Sequence, residues 1–128
     1  VALANIRLIQ QLGLVEQVRD DTGPYLAECY RGLADHPLVL EAESCGLVAA
    51  LLLGKDKPSG TTFASELGVG MICRGHCFAS GLVMRAVGDR MIIAPPLVIT
   101  RSQIDEMVGL IRLCLDATLA DAQRQGWV

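Results

Sequence analysis

GLVMRAVGDRMIIAPPLVITRSQIDEMV, residues 81–108, carries two apolar runs, a turn, a stop and the start of a helix. Leu82–Ala86 and Met91–Ala94 read as two short strands joined by Val87-Gly88-Asp89-Arg90. Pro95-Pro96 closes the second strand, because proline has no N–H to give to a ladder. Thr100-Arg-Ser-Gln103 then spells a capping box, in which the hydroxyl and the amide each satisfy a free backbone donor. Ile104, Met107, Val108, Ile111, Leu115 and Leu119 follow at spacings of three and four, opposite Asp105, Glu106, Arg112 and Asp116. One cation, Arg85, stands inside the first apolar run, and strand alternation puts it on a face with Val83 and Val87.

Upstream, Ser65–Ala79 reads as a glycine-rich helix with Val69, Ile72, Cys73 and His76 on one side and Ser80-Gly81 as its stop. Residues 54–62 form a loop. Leu38–Ser44 and Leu47–Leu53 flank Cys45-Gly46 and read as an antiparallel hairpin with a bulge at the glycine. The second run has few β-branched residues, which leaves a helix as the alternative; its length favours a strand. Leu14 to about Ala34 has helical spacing, interrupted at Gly23-Pro24, where a kink or break is expected. Asp35-His36-Pro37 ends it. VALANIRLIQQLG is helical from its first residues, with no capping side chain before it, which points to a chain that continues from something longer. The order is helix, helix, strand, strand, helix, strand, strand, helix. The expected fold is one α+β domain over residues 1–128, with a mainly antiparallel sheet of about four strands and helices on one face.

Composition narrows the function classes. A net charge of −3 without a basic stripe or interleaved aromatics argues against nucleic acid. The apolar fraction is 52%, yet the runs at 46–54 and 91–99 are too short to cross a bilayer, and no signal peptide is visible. No membrane association is expected, and the surplus apolar surface is expected to meet a partner. The five cysteines, Cys29, Cys45, Cys73, Cys77 and Cys114, are odd in number and lie in helical or strand patterns, which reads as reduced thiols in a cytoplasmic protein.

No complete catalytic set is visible. CRGHC, residues 73–77, puts two thiols and an imidazole on one helical face, but zinc wants a fourth ligand and the sequence offers no second paired set. A packed helix face is the expected role, with no metal. His36, before a proline at a helix end, reads as a capping or surface residue. Glycines 68, 70, 75 and 81 lack the lysine of a phosphate loop. Glu41, Glu43 and Glu66 read as ordinary charges. Lys55 and Lys57 are the only lysines and sit in a loop, where no desolvated Schiff-base former is expected. Arg85 is the exception. A permanently charged planar fork on an apolar strand calls for an anion, and a carboxylate fits it bidentately. Pairing with Asp89, or plain solvation, is the alternative.

These residues resemble the C-terminal region of class III pyridoxal-phosphate aminotransferases of the ω-transaminase, or ω-amino acid:pyruvate, type. The resemblance rests on GLVMRAVGDRMIIAPPLVITRSQIDEMV with the preceding CRGHCFASG, and on ALANIRLIQQLGLVEQV and GPYL…LADHPLV. It covers nearly the whole chain and is weakest at 54–66. Where family members often carry R-G-x-G-L, this chain has Glu43-Ser44-Cys45-Gly46-Leu47, keeping the glycine and leucine without the arginine.

The resemblance implies the small C-terminal domain of a fold-type I enzyme, with residues 1–34 as helices leading from an N-terminal large domain and 35–128 as the α+β small domain. It implies an enzyme that moves an amino group between an amine or ω-amino acid and a keto acid such as pyruvate, and that forms a homo-oligomer. Arg85 would be the substrate-binding residue, a mobile arginine beside a flexible Gly88-Asp89 turn that clamps a carboxylate and swings aside for amines without one. Pyridoxal 5'-phosphate would serve the complete enzyme. Its lysine, phosphate and pyridine-nitrogen groups have no match here, so no catalytic or cofactor-binding residue is expected on this chain and no activity of the chain alone. The alternatives are a freestanding interaction domain derived from that family and a class III aminotransferase of other specificity.

Overall fold

A computed structural model describes all residues 1–128. The chain opens with α1 (Ala2–Gln11), which buries none of its side chains; Leu3, Ile6, Leu8 and Leu12 stay exposed. Gly13, in the left-handed region at φ +61°, turns the chain into α2 (Leu14–Gln17). The interruption expected at Gly23-Pro24 takes the form of a π-helical turn over Val18–Thr22, followed by α3 (Gly23–Arg31). The cause is local. Pro24 has no N–H to continue the ladder, and the Gly23 N–H reaches back to the Val18 carbonyl instead. A side chain at Gly23 would collide with that carbonyl, so only glycine fits the turn. A 3₁₀ turn, Gly32–Asp35, ends the helical lead-in.

Four strands form one antiparallel sheet: β1 (Val39–Cys45), β2 (Val48–Leu53), β3 (Arg85–Val87) and β4 (Arg90–Ile93), in the spatial order β1-β2-β4-β3. The β1–β2 hairpin is present, but its bulge is not at Gly46. Cys45 pairs with Val48 around a tight Gly46-Leu47 turn with Gly46 at φ +58°, and the register shifts at the far end, between Val39 and Glu41. Glycine gives the turn its positive φ, so no extra residue is needed there. The first strand of the second hairpin is shorter than expected: Leu82–Met84 lie outside the sheet, and β3 begins at Arg85.

The helix expected from Ser65 starts later. Ser65–Leu67 form a 3₁₀ turn, Gly68 sits at φ +60°, and α4 runs from Val69 to Ala79. α5 (Arg101–Arg124) carries the capping box as read: the Gln103 N–H donates to the Thr100 hydroxyl and the Thr100 N–H to the Gln103 side chain.

The inner face of the sheet presents Val39, Ala49, Leu51, Leu53, Met91 and Ile93 to α3 and α4, and α5 packs over those two helices through Ile104, Met107, Ile111 and Leu115. These side chains form one continuous core, whose burial is the main driving term of the fold. Cross-strand partners share a face, so the register puts Glu43, Ala50, Ile92 and Arg85 in one row on the outer side. The architecture is α+β with helices on one face of a four-stranded antiparallel sheet, and no helix is long and apolar enough to cross a membrane.

Candidate functional site

Arg85 opens β3, the edge strand, opposite Ile92 of β4. It is exposed, and its guanidinium has neither a hydrogen bond nor an ion pair within the chain. Val83 and Val87 are 72% and 51% exposed beside it, and the outer face it shares carries Ile92, Ala50 and Leu52 together with Glu43 and the Arg90–Glu41 pair. The other arginine of the sheet, Arg90, lies 3.6 Å from Glu41. Elsewhere Arg101 is held by Asp21 at 2.7 Å and Arg112 by Asp35 at 2.5 Å. Arg85 is therefore the sheet's one uncommitted cation.

Asp89 does not pair with it. The Asp89 Oδ1 accepts the Gly70 N–H at 2.9 Å, at the start of α4. The Gly88-Asp89 turn is thus tied to the start of α4. Gly88 takes φ +57°, the position a two-residue hairpin turn gives to glycine, and the turn's backbone lies against Gly70 so closely that a Cβ there would strike the Gly88 carbonyl. Strand alternation places Arg85 correctly, but it carries no information about this packing between a turn and a helix nineteen residues earlier in the chain.

The CRGHC segment serves packing. Cys73 and Cys77 are buried against α5 near Cys114. The hydrogen bond shared with Cys73, together with burial, pushes the Cys77 thiol up, so it stays neutral. His76 leaves the thiols and meets Asp121 Oδ2 at 2.6 Å. That bond, reinforced by Arg124, holds the Asp121 carboxyl below the usual carboxylate range. No three His, Cys, Asp or Glu side chains gather as metal ligands. Burial also pushes the Tyr30 hydroxyl up; it has no hydrogen-bond partner beneath the sheet.

His36 is not on the surface. It is 2% exposed, its Nδ1 accepts the Leu38 N–H at 3.2 Å, and its Nε2 faces Asp116 at 3.1 Å. The capping role holds, because the imidazole satisfies a backbone donor where the chain enters β1. Glu41 faces Arg90, and Lys57 donates to the Ala34 carbonyl. Lys55 and Lys57 are both exposed in the 54–62 loop.

A polar cluster that the sequence does not reveal ties α3 to the start of α5. The Tyr25 hydroxyl donates to Asp105 Oδ1 at 2.5 Å, which pushes it up to about 12, and Arg101 stacks on the Tyr25 ring at 4.6 Å. The residues lie eighty positions apart, and no local pattern signals their meeting.

No family model matches the chain. It is, however, 56% identical over 120 residues to a putrescine–pyruvate aminotransferase of Pseudomonas aeruginosa, covering 94% of this chain and 26% of that protein. Among solved structures it is similar to an ω-transferase from Vibrio fluvialis, with a TM-score of 0.90 and 32% identity, covering 96% of this chain and 29% of that one. A PMP-bound aminotransferase from the same organism matches with a TM-score of 0.87 and 33% identity, covering 93% of this chain and 26% of the other. The chain thus spans about a quarter of the length of the relatives it matches. Sequence and fold align over almost the whole chain, and the chain belongs to the class III aminotransferases, matching a C-terminal part of enzymes of the ω-transaminase type.

Proposed function

We propose that this chain is the substrate-facing small domain of a pyridoxal-phosphate-dependent transaminase and that Arg85 binds the carboxylate of the keto-acid substrate. The observation that carries the reading is the uncommitted guanidinium of Arg85 on the edge strand, in a chain whose other sheet arginine is paired. A carboxylate arriving there meets parallel N–H donors beside Val83, Val87 and Ile92. Nothing inside the chain holds the side chain in place, so it is free to turn out when the substrate is an amine without a carboxylate. One site then serves both halves of an amino-group exchange. The similarity to a putrescine–pyruvate aminotransferase supports putrescine as donor and pyruvate as acceptor.

The residues of this chain do not fit the cofactor. Its two lysines are loop-exposed. The N-termini of α4 and α5 are already filled, α4 by the Asp89 carboxylate and α5 by its capping box. The pyridoxal chemistry is therefore assigned to the large domain of the complete protein, to which residues 1–34 lead. The exposed apolar side of α1 is the surface proposed to meet that domain or a second subunit.

The test is steady-state kinetics of the complete gene product with Arg85→Ala. In a ping-pong exchange, kcat/KM for each substrate reports its own half-reaction. Removing a charged hydrogen bond worth roughly 1.5–3 kcal/mol lowers kcat/KM for pyruvate by about 10- to 100-fold and leaves that for putrescine unchanged. Equal losses for both substrates overturn the assignment.

A further inference from the structure

We infer that Asp89 is a positioning residue for Arg85, fastening the edge strand that carries the guanidinium and keeping its own carboxylate away from it. The inference rests on Arg85 as the carboxylate contact. Asp89 is tied at two points: its Oδ1 accepts the Gly70 N–H at 2.9 Å, and its carbonyl accepts the Leu53 N–H at 2.9 Å. One turn residue thus joins the first turn of α4 to the last residue of β2. At the other end of the segment, the Leu82 N–H donates to the Cys77 carbonyl at 2.8 Å, in the last turn of α4. The stretch carrying Arg85 therefore runs alongside α4 and is held at both ends of that helix.

β3 needs these ties. It is three residues long, has a neighbour on one side only, and pairs with β4 through Arg85–Ile92, Ala86–Met91 and Val87–Arg90. So short an edge offers few ladder bonds against lifting or slipping, and a slip of one residue would send Arg85 to the inner face. A carboxylate at a helix N-terminus is favoured by both the free N–H groups and the helix dipole, so the Asp89 tie is strong for its size. Gly70 makes the approach possible, because a Cβ there would collide with the Gly88 carbonyl and sit 3.1 Å from the Asp89 Cα. The second effect is electrostatic. Asp89 is the only carboxylate in the β3–β4 hairpin, four residues from Arg85. Released from Gly70, it would compete with the substrate for the guanidinium.

The experiment compares Asp89→Ala, Asp89→Asn and Arg85→Ala in the complete gene product, with pyruvate and putrescine as probes. Asp89→Ala is expected to lower kcat/KM for pyruvate by about tenfold, the order of loss that a small misplacement of a binding group produces. The value for putrescine should stay within about twofold. Asp89→Asn keeps an oxygen that accepts the Gly70 N–H and should recover most of the pyruvate value. Arg85→Ala combined with Asp89→Ala should lose no more on pyruvate than Arg85→Ala, because both act on one contact. Parallel losses on both substrates, or additive losses in the double variant, overturn the inference. A loss from Arg85→Ala without one from Asp89→Ala removes the positioning role and leaves the Arg85 reading standing; no loss from Arg85→Ala removes both. If Asp89→Ala does not accumulate as folded protein, Asp89→Ser is judged by the same pyruvate-to-putrescine ratio.

Discussion

Two glycines of α4, five residues apart, should respond to the same substitution with opposite sign. Gly70 is buried against the β3–β4 turn, and Gly75 is exposed with no heavy atom within 4 Å of where a Cβ would stand. Alanine in a helix interior is about 0.8–1 kcal/mol better than glycine, so Gly75→Ala should stabilise by nearly that amount. Gly70→Ala gains the same propensity and loses more. The new methyl drives the Gly88 carbonyl away, an overpacking cost of about 1–3 kcal/mol. It also stretches the charged hydrogen bond from the Gly70 N–H to Asp89, worth roughly 1.5–3 kcal/mol. The net is a destabilisation of about 1.5–5 kcal/mol. For a domain of this length each kcal/mol moves Tm by about 3–5 °C, so Gly75→Ala should melt about 3–5 °C higher and Gly70→Ala about 5–25 °C lower. Thermal unfolding by circular dichroism, with urea midpoints as a second reading, checks this. If both variants shift in the same direction, the turn is not lodged against the helix, and the anchoring of β3 goes with it.

Thr100→Ala removes one half of the capping box of α5 and should cost about 1 kcal/mol, read as a lower urea midpoint at unchanged slope. Asp121 is held below the usual carboxylate range by His76 and Arg124, so its stabilising contribution is full above the unfolded carboxylate value and fades as pH falls through the lower folded value. Asp121→Asn should therefore melt below the parent protein at pH 7, with the gap closing below about pH 4; a gap independent of pH would assign the effect to packing.

Much of the fold is legible in the sequence because its signals are local. The capping box fixes the start of α5 at Arg101, and the three-and-four spacing of Ile104–Leu119 identifies its buried side, although the helix runs on to Arg124 beyond that pattern. The helical pattern from Ser65 does not separate a 3₁₀ turn from the first turn of an α-helix, and the structure gives Ser65–Leu67 to a 3₁₀ turn and uses Gly68 to change direction into α4. Gly46 signals a positive φ without saying whether a turn or a bulge needs it, and the structure uses it in the turn. At the site, alternation is enough to put Arg85 on the outer face beside Val87. The partner of Asp89, the burial of His36 and the Tyr25–Asp105 bond are set by contacts between distant segments, and periodicity carries no trace of them.

The ends of the sheet have a consequence for self-association. β1 is the longer free edge; it breaks register near Leu40 and shows Glu41, Glu43 and Ser44 to solvent. β3 offers three residues only, and Pro95-Pro96 stops its neighbour two residues past the last strand position. A charged, irregular border on one side and a very short one on the other give an incoming strand little to pair with, which guards against ribbon-like aggregation in a chain with so much apolar content. Any self-association of this segment alone should therefore use the apolar side of α1, the surface proposed to meet the large domain or a second subunit, with no gain in β structure.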